Sequence, residues 1–163
     1  MLSHLNEQGE ARMVDVSAKI PSRRYAVARC EILMKPETLR LLRSGGLKKG
    51  DALTVAKIAG IGAAKKTSEL IPLCHPLPLE HIDIRFHDRL AGDGILIESE
   101  VSATAKTGVE MEALHAVMTA ALTIYDMAKA CDPAMTISNV RLVEKRGGKS
   151  DYTADESRDY YRE

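Results

Sequence analysis

Along residues 24–34, RYAVARCEILM, apolar and polar positions alternate, with Ala26, Ala28, Cys30, Ile32 and Met34 on one side. A period of two is that of a half-buried strand. KPETLRLLRSGG predicts a short helix, because Pro36 suits a first helical turn and Gly45-Gly46 is a stop signal. GDALTVAKIAGIGAAKKTSEL is Ala-rich, with Leu53, Ala56, Ile58 and Ile61 near helical spacing, although Gly60 and Gly62 weaken the pattern. In IPLCHPLPL the prolines 72, 76 and 78 forbid a helix and predict an ordered extended loop. HIDIRFH and GILIESEVSAT then alternate on either side of the turn signal AGDG, which predicts a hairpin. Residues 108–129 read as one long helix, followed by a last strand near 135–145. The first 20 residues lack a period and read as a flexible arm, with a short extended piece at RMVDV. Residues 151–163 are charged and aperiodic and read as a disordered tail, leaving 21–150 as a single domain. The order of elements approximates β-α-β-β-α-β, an α+β class ferredoxin-like antiparallel sheet with helices on one face. That architecture hosts many chemistries, so function has to be argued from side chains.

The long helix carries the first such argument. With Leu114 at zero and about 100° per residue, Val117, Met118, Ala121, Leu122, Tyr125 and Ala128 span one arc, the expected core side. Glu110 and Lys129 fall inside that arc, Asp126 just past its edge, and Glu112 further round toward the polar side. TGVE, Thr107 to Glu110, matches a capping box, which explains Glu110 without excluding a second role. Asp126 and Lys129 suit an i,i+3 ion pair. Bordering an apolar arc, they would also be a desolvated acid/base pair. Glu112 and Asp126 are fourteen positions apart, about 21 Å along a helix. If both ends are functional, a site shared between subunits of an oligomer is the expected arrangement.

Composition narrows the remaining choices. Lys+Arg and Asp+Glu both number 23, so no net basic field suggests duplex nucleic acid. With no Trp and one Phe, a base-stacking platform for single strands is not expected either. Three cysteines without a CxxC pair suit a reducing cytoplasm, and no apolar run reaches membrane-spanning length, so a soluble cytoplasmic protein is expected.

Two kinds of loop chemistry remain. GIGAAKKT places Lys65 where a phosphate-binding P-loop needs its second glycine, and no strand precedes it, so that motif is rejected. Lysines nevertheless gather at turns and helix ends: Lys48, Lys49, Lys65, Lys66, and Lys145, Arg146 and Lys149 around Gly147-Gly148. Several cations at one place suit a polyphosphate, and neighbouring glycines let backbone approach it. In LCHPLPLEH, Cys74, His75 and His81 lack a partner set for zinc, so no metal site is expected. A His fixed between prolines suits hydrogen bonding or proton transfer at a ligand. A non-enzymatic nucleotide sensor would use the same lysines but would not need the Asp126–Lys129 pair.

LIPLCHPLPL, KTGVEMEAL, AALTIYDMAKA, VRLVEKRGGKS and KKGDALTVAKIAGIGAAKKTSELIP, in that order and without large gaps, resemble the MoaC family. The resemblance runs from SHLNEQGEARMVDVSAK to Ser150. It implies a ferredoxin-like subunit in a homohexamer, a trimer of dimers, with sites at subunit interfaces. The implied activity is that of a lyase of molybdenum cofactor biosynthesis. It converts 3′,8-cyclo-7,8-dihydro-GTP, made by a radical-SAM enzyme, into cyclic pyranopterin monophosphate, and releases pyrophosphate. By resemblance Asp126 of IYDM and Lys129 of DMAKA are catalytic. Leu73, Cys74, His75, Met111 and Glu112, with Glu110, contact substrate, and Lys49, Lys65, Lys145 and Lys149 meet its anionic groups. No cofactor is implied, while the reaction class allows Mg²⁺ to arrive with the pyrophosphate group. Two departures stand out: Asp151 follows GGKS where the family usually has Gly, and the helix has His115, Met118 and Thr119 where smaller or β-branched residues are usual.

Overall fold

The computed structural model describes residues 8–155. Strand β1 (Ser22–Leu33) is followed by α1 (Pro36–Arg43), α2 (Ala52–Lys65) and the single turn α3 (Thr67–Leu70). The hairpin of β2 (Leu79–Asp88) and β3 (Gly94–Ala105) comes next, then α4 (Glu110–Ala128), β4 (Thr136–Arg146) and the short β5 (Tyr152–Thr153). The sheet order is β2-β3-β1-β4-β5, antiparallel throughout. The first four strands thus give the split β-α-β-β-α-β arrangement expected from the sequence. β5 pairs Thr153 with Glu144 and Tyr152 with Lys145, so these two residues of the expected disordered tail are an edge strand. The rest of that tail, from residue 156, lies outside the described residues, as do residues 1–7 of the arm.

The alternation in β1 sends Ala26, Ala28, Cys30 and Ile32 fully inside, beneath α4. Two buried hydrogen bonds tie sheet to helix, from Cys30 Sγ to Val117 O at 3.3 Å and from Ser99 Oγ to Ala113 O at 2.8 Å. Burial pushes the Cys30 thiol up to about 12, so it stays a neutral donor. Elsewhere on the sheet, ion pairs mesh: Glu98 meets Arg29 at 2.6 Å and Arg85 at 3.0 Å.

Helix α4 buries a different face from the expected one, whereas α2 largely keeps its own. In α4 the inward residues are Glu112, Ala113, Ala116, Val117, Ala120, Ala121, Ile124 and Ala128, whereas Met118 is 50% and Leu122 61% exposed. In α2 the buried residues are Ala52, Ala56, Gly60, Ala63 and Ala64, with Leu53 and Ile61 packed against the core and Ile58 alone of the four named residues exposed. The helical wheel weighted large side chains, but close approach selected small ones. A Cβ on Gly60 would lie 2.8 Å from Ala116 O and 3.3 Å from Ala120 Cβ, so α2 and α4 meet nearly backbone to backbone. The large apolar residues Met118, Leu122, Val55 and Ile58 are left on the outside.

The capping box does not form. α4 begins at Glu110, its N-cap is Val109, and no side chain caps it. Thr107 and Gly108 instead remain outside the helix, where they line a cleft. Asp132, in the turn after α4, is buried and caps a different helix. Its Oδ2 accepts from Lys35 N at 2.8 Å and Thr38 Oγ1 at 3.3 Å at the start of α1.

Candidate functional site

At the N-terminal end of α4 two lobes of one cleft meet. Thr107, Gly108, Glu110, Lys19 and Lys149 line both. The first lobe, about 830 Å³, adds Arg24, Tyr25, Lys106, Lys145, Arg146 and the Gly147–Ser150 loop. The second, about 770 Å³, adds Leu73, Cys74, His75, Leu77, Met111 and Glu112, with Val14 and Val16 from the N-terminal segment. The first lobe is therefore rich in cations and the second largely apolar with a few polar groups. A polyanion attached to a ring system has that division of chemistry.

Local structure explains how these groups arrive. Gly147 turns the chain after β4 with φ of +85°, and a Cβ there would run into the carbonyl of Arg23. The loop is further held by Ser22 Oγ donating to Gly147 O at 3.0 Å and Gly147 N donating to Asp151 Oδ1 at 3.1 Å. Asp151, the departure from the usual glycine, thus serves as an acceptor that closes the loop. Arg24 donates from Nε to Ala105 O at 3.1 Å and from Nη2 to Lys106 O at 3.3 Å, bracing the connection from β3 to α4. The Glu110 carboxylate lies against Gly108, which has no room for a Cβ, and approaches Lys145 Nζ at 3.5 Å.

Glu112 is the outlier among the carboxylates. It sits inside, only 4% exposed, where the wheel had turned it toward the polar side. Burial raises its pKa to about 7, while a hydrogen bond from its own backbone N–H opposes the shift and the Glu110 charge adds to it. The group therefore stands poised between acid and base at neutral pH. Burial, together with the Glu112 charge, also raises the pKa of the Cys74 thiol, which keeps it protonated. His75 Nε2 lies 2.8 Å from Val14 O. A carbonyl only accepts, so Nε2 carries the proton of that bond.

Asp126 and Lys129 lie at the opposite end of α4. Asp126 Oδ1 meets Lys129 Nζ at 2.8 Å, and Oδ2 meets Lys49 Nζ at 2.7 Å. Lys49 also donates to the Asp126 carbonyl at 3.0 Å. Lys49 reaches this point from the turn before α2, where Gly50 has φ of +89° and Asp51 caps the helix through Thr54 N at 3.1 Å. The expectation of a desolvated pair is corrected here, since Asp126 and Lys129 are more than half exposed. Hydrogen bonds from Lys129 and Lys49, then their charges, hold the Asp126 pKa down to about 2, and the same pairing raises that of Lys129.

The sequence-identified residues thus separate into two sets. Leu73, Cys74, His75, Glu110, Met111, Glu112, Lys145 and Lys149 come together at the cleft. Asp126, Lys129 and Lys49 form their own cluster, about 21 Å away by the rise of a helix. Lys65, in the last turn of α2, is exposed and lines neither lobe. Residue patterns missed Lys19, Arg24, Lys106 and the Val14–Val16 wall. Val14–Val16 and Lys19 lie inside the quoted stretch VDVSAK and Lys106 opens KTGVE, but only the fold brings them to the cleft; Arg24 lies in neither motif.

The architecture and the cleft together define an α+β ferredoxin-like domain with a two-lobed cleft, cation-rich on one side and largely apolar on the other. Residues 13–148 match the model of the MoaC family, and the chain belongs to that family. It is 55% identical over 157 residues to a protein of Chloroflexus aggregans, covering 96% of this chain and 95% of the relative. It is 58% identical to one of Heliobacterium modesticaldum and 56% identical to one of Syntrophomonas wolfei, covering 91% of this chain and 94% of each relative. All three relatives bear the name cyclic pyranopterin monophosphate synthase.

Proposed function

We propose that this chain is a cyclic pyranopterin monophosphate synthase of molybdenum cofactor biosynthesis, a lyase acting on 3′,8-cyclo-7,8-dihydro-GTP. The observation that carries this reading is the cleft of two unlike lobes, in a chain that matches its family from residue 13 to 148. The cation-lined lobe, with Lys145 and Lys149, takes the triphosphate. The apolar lobe takes the guanine-derived rings, with Glu112 able to donate or accept a proton at neutral pH. Cyclic phosphate formation requires a sugar hydroxyl to attack the α-phosphorus. The bond to the β-phosphate oxygen breaks, pyrophosphate leaves, and the hydroxyl proton passes to a base. Fixed ammonium groups stabilise the charge that develops on the phosphoryl oxygens.

Asp126 with Lys129 and Lys49 supplies the proton transfers of ring rearrangement, Asp126 entering as the ionised partner. One chain holds this trio too far from its own cleft, so the complete site takes its α4 C-terminal end from another copy. The proposed assembly is a homohexamer, a trimer of dimers. Met111, Met118 and Leu122 on α4 and Val55 and Ile58 on α2 are large apolar side chains left exposed in a single chain, which supports this assembly. Lys65, which lines neither lobe, takes an anion-contacting role only in such an assembly.

Among the described residues no three carboxylate, thiol or imidazole groups converge as a resident metal site. Any Mg²⁺ would come with the substrate's polyphosphate, whose charge it would help to neutralise. No described helix is long and apolar enough to cross a membrane, and a cytoplasmic location downstream of a radical-SAM enzyme suits the pathway.

The direct test supplies freshly made 3′,8-cyclo-7,8-dihydro-GTP to wild type and to Asp126→Ala, following pyrophosphate and pterin product. Turnover by wild type and its loss in a folded variant support the reading. Binding without turnover by either protein overturns it in favour of a nucleotide sensor.

A further inference from the structure

The segment Val14–Lys19 has no counterpart among the elements that build the sheet, yet it lines both lobes of the cleft. Val14 and Val16 are half-buried and alternate with exposed Asp15, so an extended piece presents its apolar side to the second lobe. The chain then turns, with Asp15 Oδ1 accepting from Ser17 N at 2.8 Å and Lys19 N donating to Val16 O at 3.0 Å. This turn brings Lys19 to the boundary where the lobes meet. Two side chains fasten the segment to the domain, and both meet it through backbone carbonyls. His75 Nε2 holds Val14 O at 2.8 Å, and Lys106 Nζ donates to Ser17 O at 2.7 Å.

Lys106 sits on the connection between β3 and α4, one residue before Thr107 and Gly108 of the shared wall. Its backbone is itself pinned, because Arg24 donates to Lys106 O. A lysine in a cation-rich lobe would ordinarily be assigned to the anionic ligand. Here its ammonium already spends a short, charge-assisted hydrogen bond on the chain's own backbone.

We propose that Val14–Lys19 is a strap forming the fourth side of the cleft, and that Lys106 is a positioning residue that pins it at Ser17 and so aims Lys19 at the anionic part of the ligand. This rests on the proposed synthase reading for the identity of that ligand, 3′,8-cyclo-7,8-dihydro-GTP, but not for the existence of the strap. Lys106 acts through the strap and not by contact with phosphate. Without its ammonium, the strap keeps the His75 bond and the packing of Val14 and Val16, but the turn at Ser17 lifts and Lys19 leaves the wall.

The test is a cycle of Lys19→Met, Lys106→Met and the double variant in the full-length protein, with Lys106→Arg as the conservative partner. Backbone amide exchange over residues 14–19 is measured alongside turnover. Lys106→Met is expected to speed exchange of these amides at least about tenfold, the loss of one charged hydrogen bond. It is also expected to raise KM about tenfold with kcat within twofold. Lys106→Arg restores both. Because Lys106 works by placing Lys19, the double variant has the KM of Lys19→Met alone.

Multiplied KM effects in the double variant, with strap exchange unchanged by Lys106→Met, would show direct phosphate contact and overturn the proposal. The exchange measurement needs no turnover. If wild type fails to convert the substrate but Lys106→Met still loosens residues 14–19, the synthase reading falls while the clamp stands. Unchanged exchange in Lys106→Met refutes the clamp whatever the activity.

Discussion

Helix α4 ends in a carboxylate site at each terminus, and the two sites are opposites. At the N-terminal end Glu112 is buried, has no cation paired with it among the described residues, and has a pKa pushed up to about 7. At the C-terminal end Asp126 stands in solvent between two lysines, with its pKa held down to about 2. Two side chains of the same chemical class are thereby assigned different protonation states at neutral pH, one by desolvation and one by neighbouring charge. The N-terminal end is a shaped cleft. The C-terminal end is an open ionic cluster that a single chain leaves without walls. That asymmetry is what a site completed by a second copy requires of each copy.

The sharpest way to break the comparison is to remove one end and look at the other. Asp126→Ala should lower turnover by about 10²–10⁴, the usual worth of an acid/base group, with little change in stability. Mixing Asp126→Ala chains with Glu112→Gln chains should restore part of the activity, because some mixed sites then contain both intact ends. Strictly additive loss in the co-expressed mixture would show that each chain works alone.

Glu112→Gln should separate function from stability. A carboxylate whose folded pKa lies above its unfolded value of about 4.5 stays protonated in the fold while the unfolded chain ionises. Its stabilising contribution is complete below that unfolded pKa and is lost as pH rises toward 7. The glutamine variant should therefore bind substrate more weakly yet unfold at higher denaturant concentration at pH 8, by on the order of 3 kcal/mol. At pH 4.5 the two proteins should nearly coincide, and denaturant titrations at both pH values would read the difference.

The link between the two ends is the tight α2–α4 contact. Gly60→Ala places a methyl against Ile84 and the Ala116 carbonyl and should cost about 1–3 kcal/mol in thermal unfolding. Shifted helices should also lower activity, whereas Gly62→Ala, facing open space, should be neutral or slightly stabilising. A smaller cost than that of Gly60→Ala belongs to Asp132→Ala. It uncaps α1 beside the C-terminal cluster and should cost about 0.5–2 kcal/mol, with Asp132→Asn retaining much of the stability.

Legibility in the sequence varied by element. The alternation of Ala26, Ala28, Cys30 and Ile32 identified β1 and its inward face, because strand period and burial coincide there. The helices are legible, but the face that α4 buries is not. Their cores are made of alanine and glycine, which carry little hydrophobic signal and are selected for close approach. The capping box was a true pattern without its consequence, since Thr107 and Gly108 serve the cleft instead of the helix. Among the candidate residues, those near the cleft were legible by motif, while Lys19, Arg24 and Lys106 were not.

By itself, then, the sequence determined the order of the first four strands and the long helices, the family, and the stock of carboxylates and lysines. These depend on local period and on motifs that lie contiguous in the chain. Only the tertiary structure decided which carboxylate is buried and which is paired, and that the N-terminal segment walls the cleft. The pKa of an acid, and the side a strap packs against, depend on atoms brought together from distant parts of the chain. No periodicity within one segment encodes those neighbours.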